Sequence, residues 1–269
     1  MKKKKKLKWY FKLLLILILI ILYGIIIGTK GTFLKEYNIK TSKISGDMHG
    51  IKIIHFSDIK YKSSISEKSI IGMVNKINAS KPDIVIYTGD LIDKKYKLKD
   101  KDKESLIKNL NSITAELGKY YVKGDEDTDA AIQILNAAGF KSLENNYELI
   151  YKNRSNPILL IDKNNVKEYY DDTSSNKDIF KMLVLHNPDD IDKYLDYNID
   201  VAIAGHTLNG QINIFKIKEM LIKEKYKRNY QKIKNTKLYI NPGIGTGKIN
   251  LRLFNHPTIY LYRITKTSN

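Results

Sequence analysis

Five apolar, β-rich runs in this chain stop on an aspartate or a histidine, and this repetition narrows the fold more than any other feature. Ile51–Phe56 leads into Ser57-Asp58, and Ile84–Tyr87 into Thr88-Gly89-Asp90. Residues 120–122 lead into Gly124-Asp125-Glu126-Asp127, residues 182–185 into His186, and residues 201–204 into Gly205-His206. One Gly-Asp is ordinary turn chemistry. Five such endings, all Asp or His, put metal-capable side chains at the carboxyl ends of strands, where α/β sheets collect their ligand sites.

Helical patterns separate these strands. Ile70, Met73, Val74 and Ile77 recur at helical spacing until Lys81-Pro82-Asp83 breaks the run. Leu106, Leu110, Ile113 and Leu117 mark a second helix closed by Gly118, and a third carries Ile134 and Leu135 and stops at Gly139. Further strands are expected at 158–161, 238–240 and 259–262. Strand–helix alternation followed by mostly strands predicts an α/β fold, a sheet core covered by helices.

The N-terminus belongs to a different environment. Lys2 to Lys6, Lys8 and Lys12 precede an apolar run over 13–28, broken only mildly by Tyr23 and Gly24. Sixteen helical residues span roughly 24 Å, and Trp9, Tyr10, Phe11 and a snorkelling Lys12 extend the usable length. Gly28-Thr29-Lys30-Gly31 lacks a small-x-small cleavage site, which favours an uncleaved signal anchor over a cleaved signal peptide. The lysines predict a cytoplasmic N-terminus and an extracytoplasmic remainder. The expected organisation is a basic tail (1–12), a transmembrane anchor (13–28), a connector with a first exposed strand (29–49) and one domain (50–269).

With no cysteine, the chain can form neither a disulfide nor a thiolate metal site. The net charge of +18 favours anionic surroundings such as lipid head groups, phosphorylated polymers or nucleic acid. The basic character is densest at 216–237, where nine cations oppose Glu219 and Glu224 and alternate with Met220, Leu221, Tyr226 and Tyr230. This stretch reads as a solvated loop or as a contact with anionic lipid or a phosphorylated polymer. Nucleic acid is the poorest partner, because no recognised nucleic-acid motif accompanies the charge.

In order and spacing, the strand-end motifs resemble the calcineurin-like metallophosphoesterases. That family carries Asp-x-His, Gly-Asp, Gly-Asn-His-Asp/Glu, a lone His and Gly-His-x-His at successive strand ends. Here the corresponding residues are Asp58-Ile59-Lys60, Gly89-Asp90, Gly124-Asp125-Glu126-Asp127, His186 and Gly205-His206-Thr207-Leu208-Asn209-Gly210-Gln211. The last motif, with Tyr239-Ile240-Asn241-Pro242-Gly243-Ile244-Gly245 and Arg252-Leu253-Phe254, is most similar to the membrane-associated bacterial subgroup, which reads Gly-His-Thr-His-Gly-Gly-Gln.

The resemblance covers about 50–265 and implies a two-sheet α/β sandwich flanked by helices. It also implies hydrolysis of a phosphate ester by water activated at two divalent ions, of Mn, Fe, Zn or Ni. One metal set would be Asp90, Asp125 in place of Asn, His186 and His206. The other would be Asp58, Asp90, Lys60 in place of His and Leu208 in place of His. Neither an ammonium nor an alkyl group can ligate, so one ion rather than two is expected. Glu126 fills the place of the catalytic histidine. Lys60 is expected to pair with Asp58, to neutralise part of the charge on Asp90, or to bind a phosphate oxygen. The activity implied is a weakened or altered phosphoesterase, with a non-catalytic binding protein as the alternative.

Each of these residues taken singly has an ordinary reading. Asp58 and Lys60 fit an exposed loop pair, His186 and His206 fit structural histidines, and Glu126 fits a solvated turn. His55 and His256 read as structural and His49 as exposed.

Overall fold

The computed structural model describes residues 2–62, 65–144, 146–153, 156–172, 178–208 and 210–267, without the side chains of residues 2–7, 172, 215 and 216. The side chains of Lys2 to Lys6 and Lys216, and all of Asn209, named above, lie outside the described residues.

Along the chain run α1 (Lys2–Ile26), β1 (Phe33–Thr41), β2 (Ile51–Phe56), α2 (Glu67–Ala79), β3 (Ile84–Tyr87), α3 (Asp100–Asn111), β4 (Lys119–Tyr121), α4 (Asp129–Ala137) and β5 (Lys141–Ser142). Then come β6 (Tyr147–Ile150), β7 (Ile158–Asp162), α5 (Val166–Asp172), β8 (Phe180–Val184), β9 (Val201–Ala204), α6 (Phe215–Leu221), β10 (Tyr230–Ile233), β11 (Thr236–Ile240) and β12 (Thr258–Lys266). Two six-stranded sheets result, in the orders β1-β12-β2-β3-β4-β5 and β10-β11-β9-β8-β7-β6. Strands β2 to β5 pair in parallel, as do β7, β8, β9 and β11. The parallel pairing gathers the carboxyl ends of β2, β3, β4, β8 and β9 on one edge. This is the α/β sandwich expected from the sequence.

Side chains alternate across each strand, so each sheet feeds two cores. Ile53, Ile84 and Ile86 face Leu160, Met182, Val184 and Ile203 between the sheets. On the other face of the first sheet, Phe56, Val85 and Tyr87 meet Ile70, Met73, Leu106, Leu110 and Ile134 from α2, α3 and α4. On the outer face of the second sheet, Leu159, Ile161, Leu183 and Ala202 pack on Val166, Tyr169, Ile191 and Tyr226.

The second helix is shorter than its pattern. It ends at Asn111, and Ile113 and Leu117 follow in a connection rather than in the helix. Asn78 of α2 explains the stop: its side chain accepts from the Thr114 amide at 3.0 Å and donates to the Ser112 carbonyl at 2.8 Å. Ile113 is still buried in the same core as Leu106 and Leu110, which is why the spacing imitated a longer helix.

α1 is long and apolar enough to cross a membrane, with a candidate span over Lys8–Ile26 that is only 6% buried. Its last turn docks on the domain. The Gly24 carbonyl accepts from the Arg252 amide at 3.1 Å. A Cβ on Gly24 would lie 2.5 Å from Leu251 Cδ1, and one on Gly28 would lie 2.0 Å from the Arg252 carbonyl oxygen. Gly28, which meets backbone, therefore needs glycine for the close approach, whereas Gly24 meets only leucine side chains.

Candidate metal centre

Backbone conformation marks the site before any side chain does. Asp58, Lys60, Asp90, His206 and Leu208 all have positive φ, between 44° and 67°. Non-glycine residues in this region cost roughly 1–3 kcal/mol each and persist where surrounding structure over-determines them. Here the turns are fixed by mutual hydrogen bonds. Asp58 N donates to Gly89 O, Lys60 N to Asp90 O, Ile244 N to Ser57 O and Gly245 N to Asp58 O. A Cβ on Gly124 would lie 2.3 Å from Asp90 Oδ1, so glycine there lets the two strand ends converge.

Asp127 clips those ends together. Its carboxylate accepts from the amides of Asp90 and Gly124 through Oδ2, at 2.9 and 2.8 Å, and from Leu91 through Oδ1, at 2.7 Å.

The convergent donors are Asp125, His186 and His206, which offer ligand atoms within 4.8 Å of one another. His186 Nδ1 lies 2.6 Å from the Thr88 carbonyl, which fixes the tautomer and leaves Nε2 facing the cluster. His206 Nδ1 lies 3.2 Å from that Nε2 and 3.3 Å from Asp125 Oδ2. Its far nitrogen, Nε2, lies 3.2 Å from Glu224 Oε1. Each imidazole thus has an outer oxygen partner and an inward nitrogen, the arrangement that orients metal-ligating histidines. Asp90 Oδ1 stands 3.6 Å from His186 Nε2, at the edge of this three-residue cluster. Two carboxylates and two imidazoles suit a divalent transition metal.

The other half of the centre is different. Lys60 Nζ lies 2.9 Å from Asp90 Oδ2 and 3.1 Å from Glu126 Oε2, and Lys94 Nζ lies 3.2 Å from Glu126 Oε1. Lys60 thus pairs with Asp90 and Glu126, not with Asp58. Asp58 Oδ2 instead accepts from the Ser57 hydroxyl at 2.5 Å and from the His206 amide at 3.0 Å, while Oδ1 is buried without a partner. Leu208 is buried beside it: a Cβ on Gly243 would meet Leu208 Cδ2 at 2.8 Å and Asp58 Cβ at 3.0 Å. Lys60 and Leu208 offer no lone pair there, so this half does not fit an ion as the Asp/His cluster does.

The charges follow from these neighbours. Burial works to raise the Asp90 carboxyl, but His186, Lys60 and the Glu126 amide together hold it below its ordinary value. Burial works to lower Lys60, yet Asp90, Asp58 and Glu126 hold it above the usual lysine range. His186 is depressed by burial and raised further by Asp90 and Asp58, for a net rise. Asp58 is pushed up, first by burial and then by the charge on Asp90.

Beneath the site, fully buried Arg252 donates to the carbonyls of Gly245, Pro242, Gly243 and Asn255. Burial lowers its guanidinium to about 10, against the pull of Asp58.

The remaining histidines lie apart. His55 is fully buried between Tyr262 and Thr88, each at 2.9 Å. His256 stacks at a tilt on Phe33, and exposed His49 accepts from the Lys266 amide.

A family model described as calcineurin-like phosphoesterase matches residues 46–210. The chain belongs to this family. The metallophosphoesterase YkuE of Bacillus subtilis, uncharacterised by its description, is 27% identical over 87% of this chain and 85% of its own. An uncharacterised metallophosphoesterase of Aquifex aeolicus is 24% identical over 88% and 93%. A transmembrane protein with metallophosphoesterase domain from Danio rerio is 21% identical; the match covers 86% of this chain but only 57% of that longer protein. Purple acid phosphatase PPD1 of yellow lupin superposes with a TM-score of 0.44 at 10% identity, over 84% of this chain and 55% of that one.

Sequence reasoning missed three participants. Glu224 reaches His206 from the basic stretch 216–237, where it was counted only as a charge. It is brought there because Asp189 accepts from the amides of Lys225 and Tyr226, and Asp192 accepts from the Tyr226 hydroxyl at 2.5 Å. Asp127 carried no role in the sequence reading, and Lys94 had no signal beyond its type.

Proposed function

We propose that the chain is a membrane-anchored phosphoesterase that works with one divalent ion, held by Asp90, Asp125, His186 and His206, and with Lys60 as the second positive charge. The observation that carries this reading is the Lys60 ammonium, buried 2.9 Å from Asp90 at the place where the family pattern has a histidine ligand. A divalent ion in the Asp/His set supplies Lewis-acid chemistry, activating water and drawing charge from phosphoryl oxygens.

The chain's own residues do the rest. Lys60 offers a phosphate oxygen a point charge. Glu126 holds Lys60 and Lys94 toward one another at the mouth, and Glu224 orients His206. α1 anchors the domain, and the basic residues before it favour an extracytoplasmic site. Transmembrane relatives support the anchor.

Full-length protein should hydrolyse p-nitrophenyl phosphate or bis-p-nitrophenyl phosphate when Mn²⁺ is added. His206→Ala and Lys60→Ala should each lower the rate by about 10²-fold or more. Leu208 and Glu126 at histidine places favour a second reading, a binding protein without turnover. Wild type that binds Mn²⁺ yet leaves both esters intact would decide for that one.

A further inference from the structure

Two depressions of opposite character meet at the mouth of this site. The first, about 330 Å³, is cationic: Lys60, Lys62, Lys94, Lys95 and Lys248 line it, with Tyr96, Asp93 and Glu126. Glu126 occupies Lys60 and Lys94, and Asp102 occupies Lys62. Among the described residues, Lys95 and Lys248 have no ion-pair partner. The second, about 310 Å³, is mainly apolar, with Leu208, Ile212, Leu221, Ile249 and Leu251 in its walls. Lys248 borders both. Each is of ordinary ligand-site size.

The apolar groove leads to the anchor. Leu251, in its wall, packs on Gly24 in the last turn of α1. Of the groove residues, Leu221 is 54% exposed and Ile249 67%, and on the same two segments Met220 is 83% exposed and Phe254 62%. The two segments carrying them are tied together: Asn213 N donates to Leu253 O at 2.8 Å, and Leu253 N to Gln211 O at 2.9 Å. A large exposed apolar rim on a soluble surface is unusual. Beside a helix fit to cross a bilayer, it has an apolar medium to meet.

We propose that the ligand of this site is a phosphate-bearing lipid. Its phosphate lies in the lysine cup and its hydrocarbon chain lies in the groove between Leu221 and Ile249, entering from the bilayer beside α1. This deepens the phosphoesterase reading, and turnover of such a lipid rests on that reading; its binding does not. A soluble phosphorylated polymer would use the lysines and leave the groove empty.

The test compares dihexanoyl phosphatidic acid, below its micelle concentration, with glycerol 3-phosphate. Both are titrated calorimetrically into full-length protein in phosphatidylcholine nanodiscs, beside a p-nitrophenyl phosphate assay. Burying three or four methylene groups should make the lipid bind about 100-fold tighter. Leu221→Glu with Ile249→Glu changes two exposed residues, so the fold should persist, as a thermal melt would verify. That variant should lose the lipid preference and keep its affinity for glycerol 3-phosphate. Lys95→Glu with Lys248→Glu should weaken both ligands.

Equal affinities, no lipid binding, or a preference that survives the groove variant would overturn the proposal. So would a glycerol phosphate oligomer that binds as tightly as the lipid. Lipid preference without aryl phosphate turnover would sink the phosphoesterase reading alone. Turnover without lipid preference would sink the lipid proposal alone.

Discussion

Replacing Lys60 by methionine keeps the bulk of the side chain and removes its charge, which isolates the electrostatic role assigned to it. Lys60 is 7% exposed and Asp90 2%. At an effective dielectric constant of about 20, opposite charges 2.9 Å apart attract by roughly 6 kcal/mol before desolvation is subtracted. Removing one partner of a buried pair typically costs about 3–5 kcal/mol, because the other charge stays buried. Asp90 would keep the Glu126 amide at 2.9 Å and His186 at 3.6 Å. That residual support puts the expected loss near the lower end, about 3 kcal/mol. Urea unfolding of metal-free, detergent-solubilised protein would measure it. Asp90→Asn should be less damaging in the Lys60→Met background than alone, with a coupling of about 1 kcal/mol or more in a double-mutant cycle. Added Mn²⁺ should stabilise Lys60→Met more than wild type, since an ion beside Asp90 restores part of the missing charge. A loss under about 1 kcal/mol with no coupling to Asp90 would refute the reasoning, because Lys60 would then not be compensating that carboxylate.

Elemental analysis of purified protein should find about one tightly held divalent ion per chain, lost in His206→Ala and kept in Lys60→Ala; two ions in wild type would overturn the one-ion assignment. The triple change Lys60→His, Glu126→His, Leu208→His should gain a second ion and phosphodiesterase activity, with Glu126→His alone gaining less activity and no ion. A triple variant that binds two ions without any gain in turnover would show that these replacements do not explain the difference. Burial holds His55 down to about 3, below its unfolded value of 6.5. The unfolded chain therefore takes up a proton that the folded one refuses. Stability is full above pH 6.5 and falls toward pH 3, by at most about 5 kcal/mol from this residue. His55→Gln should flatten that acid limb in urea titrations across the window, and an unchanged limb would count against the buried neutral imidazole.

The strands and helices were legible because their signals are local, whereas the two-sheet arrangement came from the resemblance. Short apolar, β-rich runs with polar stops found β2, β3 and β9 to the residue, and the four apolar positions of α2 are all buried. The elements that escaped are short or lack a period. β5 has two residues, and β10 lies in a lysine-rich stretch whose sheet pairing is exposed. At the centre, motif order brought Asp58, Lys60, Asp90, Asp125, Glu126, His186 and His206 into one neighbourhood. It could not say which carboxylate Lys60 would choose. That choice depends on the left-handed turns at 58 and 60, which turn Asp58 toward the Ser57 hydroxyl and the ammonium toward Asp90. Glu224 was illegible for a related reason. Its approach to His206 rests on a clamp formed by Asp189 and Asp192, more than 30 residues away in sequence.

The three departures from the family pattern are best understood as one electrostatic solution. Two carboxyls, Asp58 and Asp90, are buried together, and a site that loses a cation must find other compensation for them. Asp90 takes the Lys60 ammonium, which Glu126 also holds. Asp58 takes no cation in its immediate shell. Its carboxyl is pushed up by burial and by Asp90, toward the neutral acid. Burial is the first cause of that rise, since apolar neighbours such as Leu208 solvate a carboxylate poorly. Leu208 and Lys60 therefore belong together: the lysine compensates Asp90, and the Ser57 hydroxyl and the His206 amide, rather than a cation, hold Asp58 beside its apolar neighbour. Reverting one position alone works against this arrangement. Leu208→His in a Lys60 background brings an imidazole beside Asp58 while the ammonium still stands at the other ligand's place. Lys60→His without Leu208→His leaves the restored set one ligand short. Single reversions should therefore lose stability without gaining metal, and only the combined change should cross to a two-ion centre.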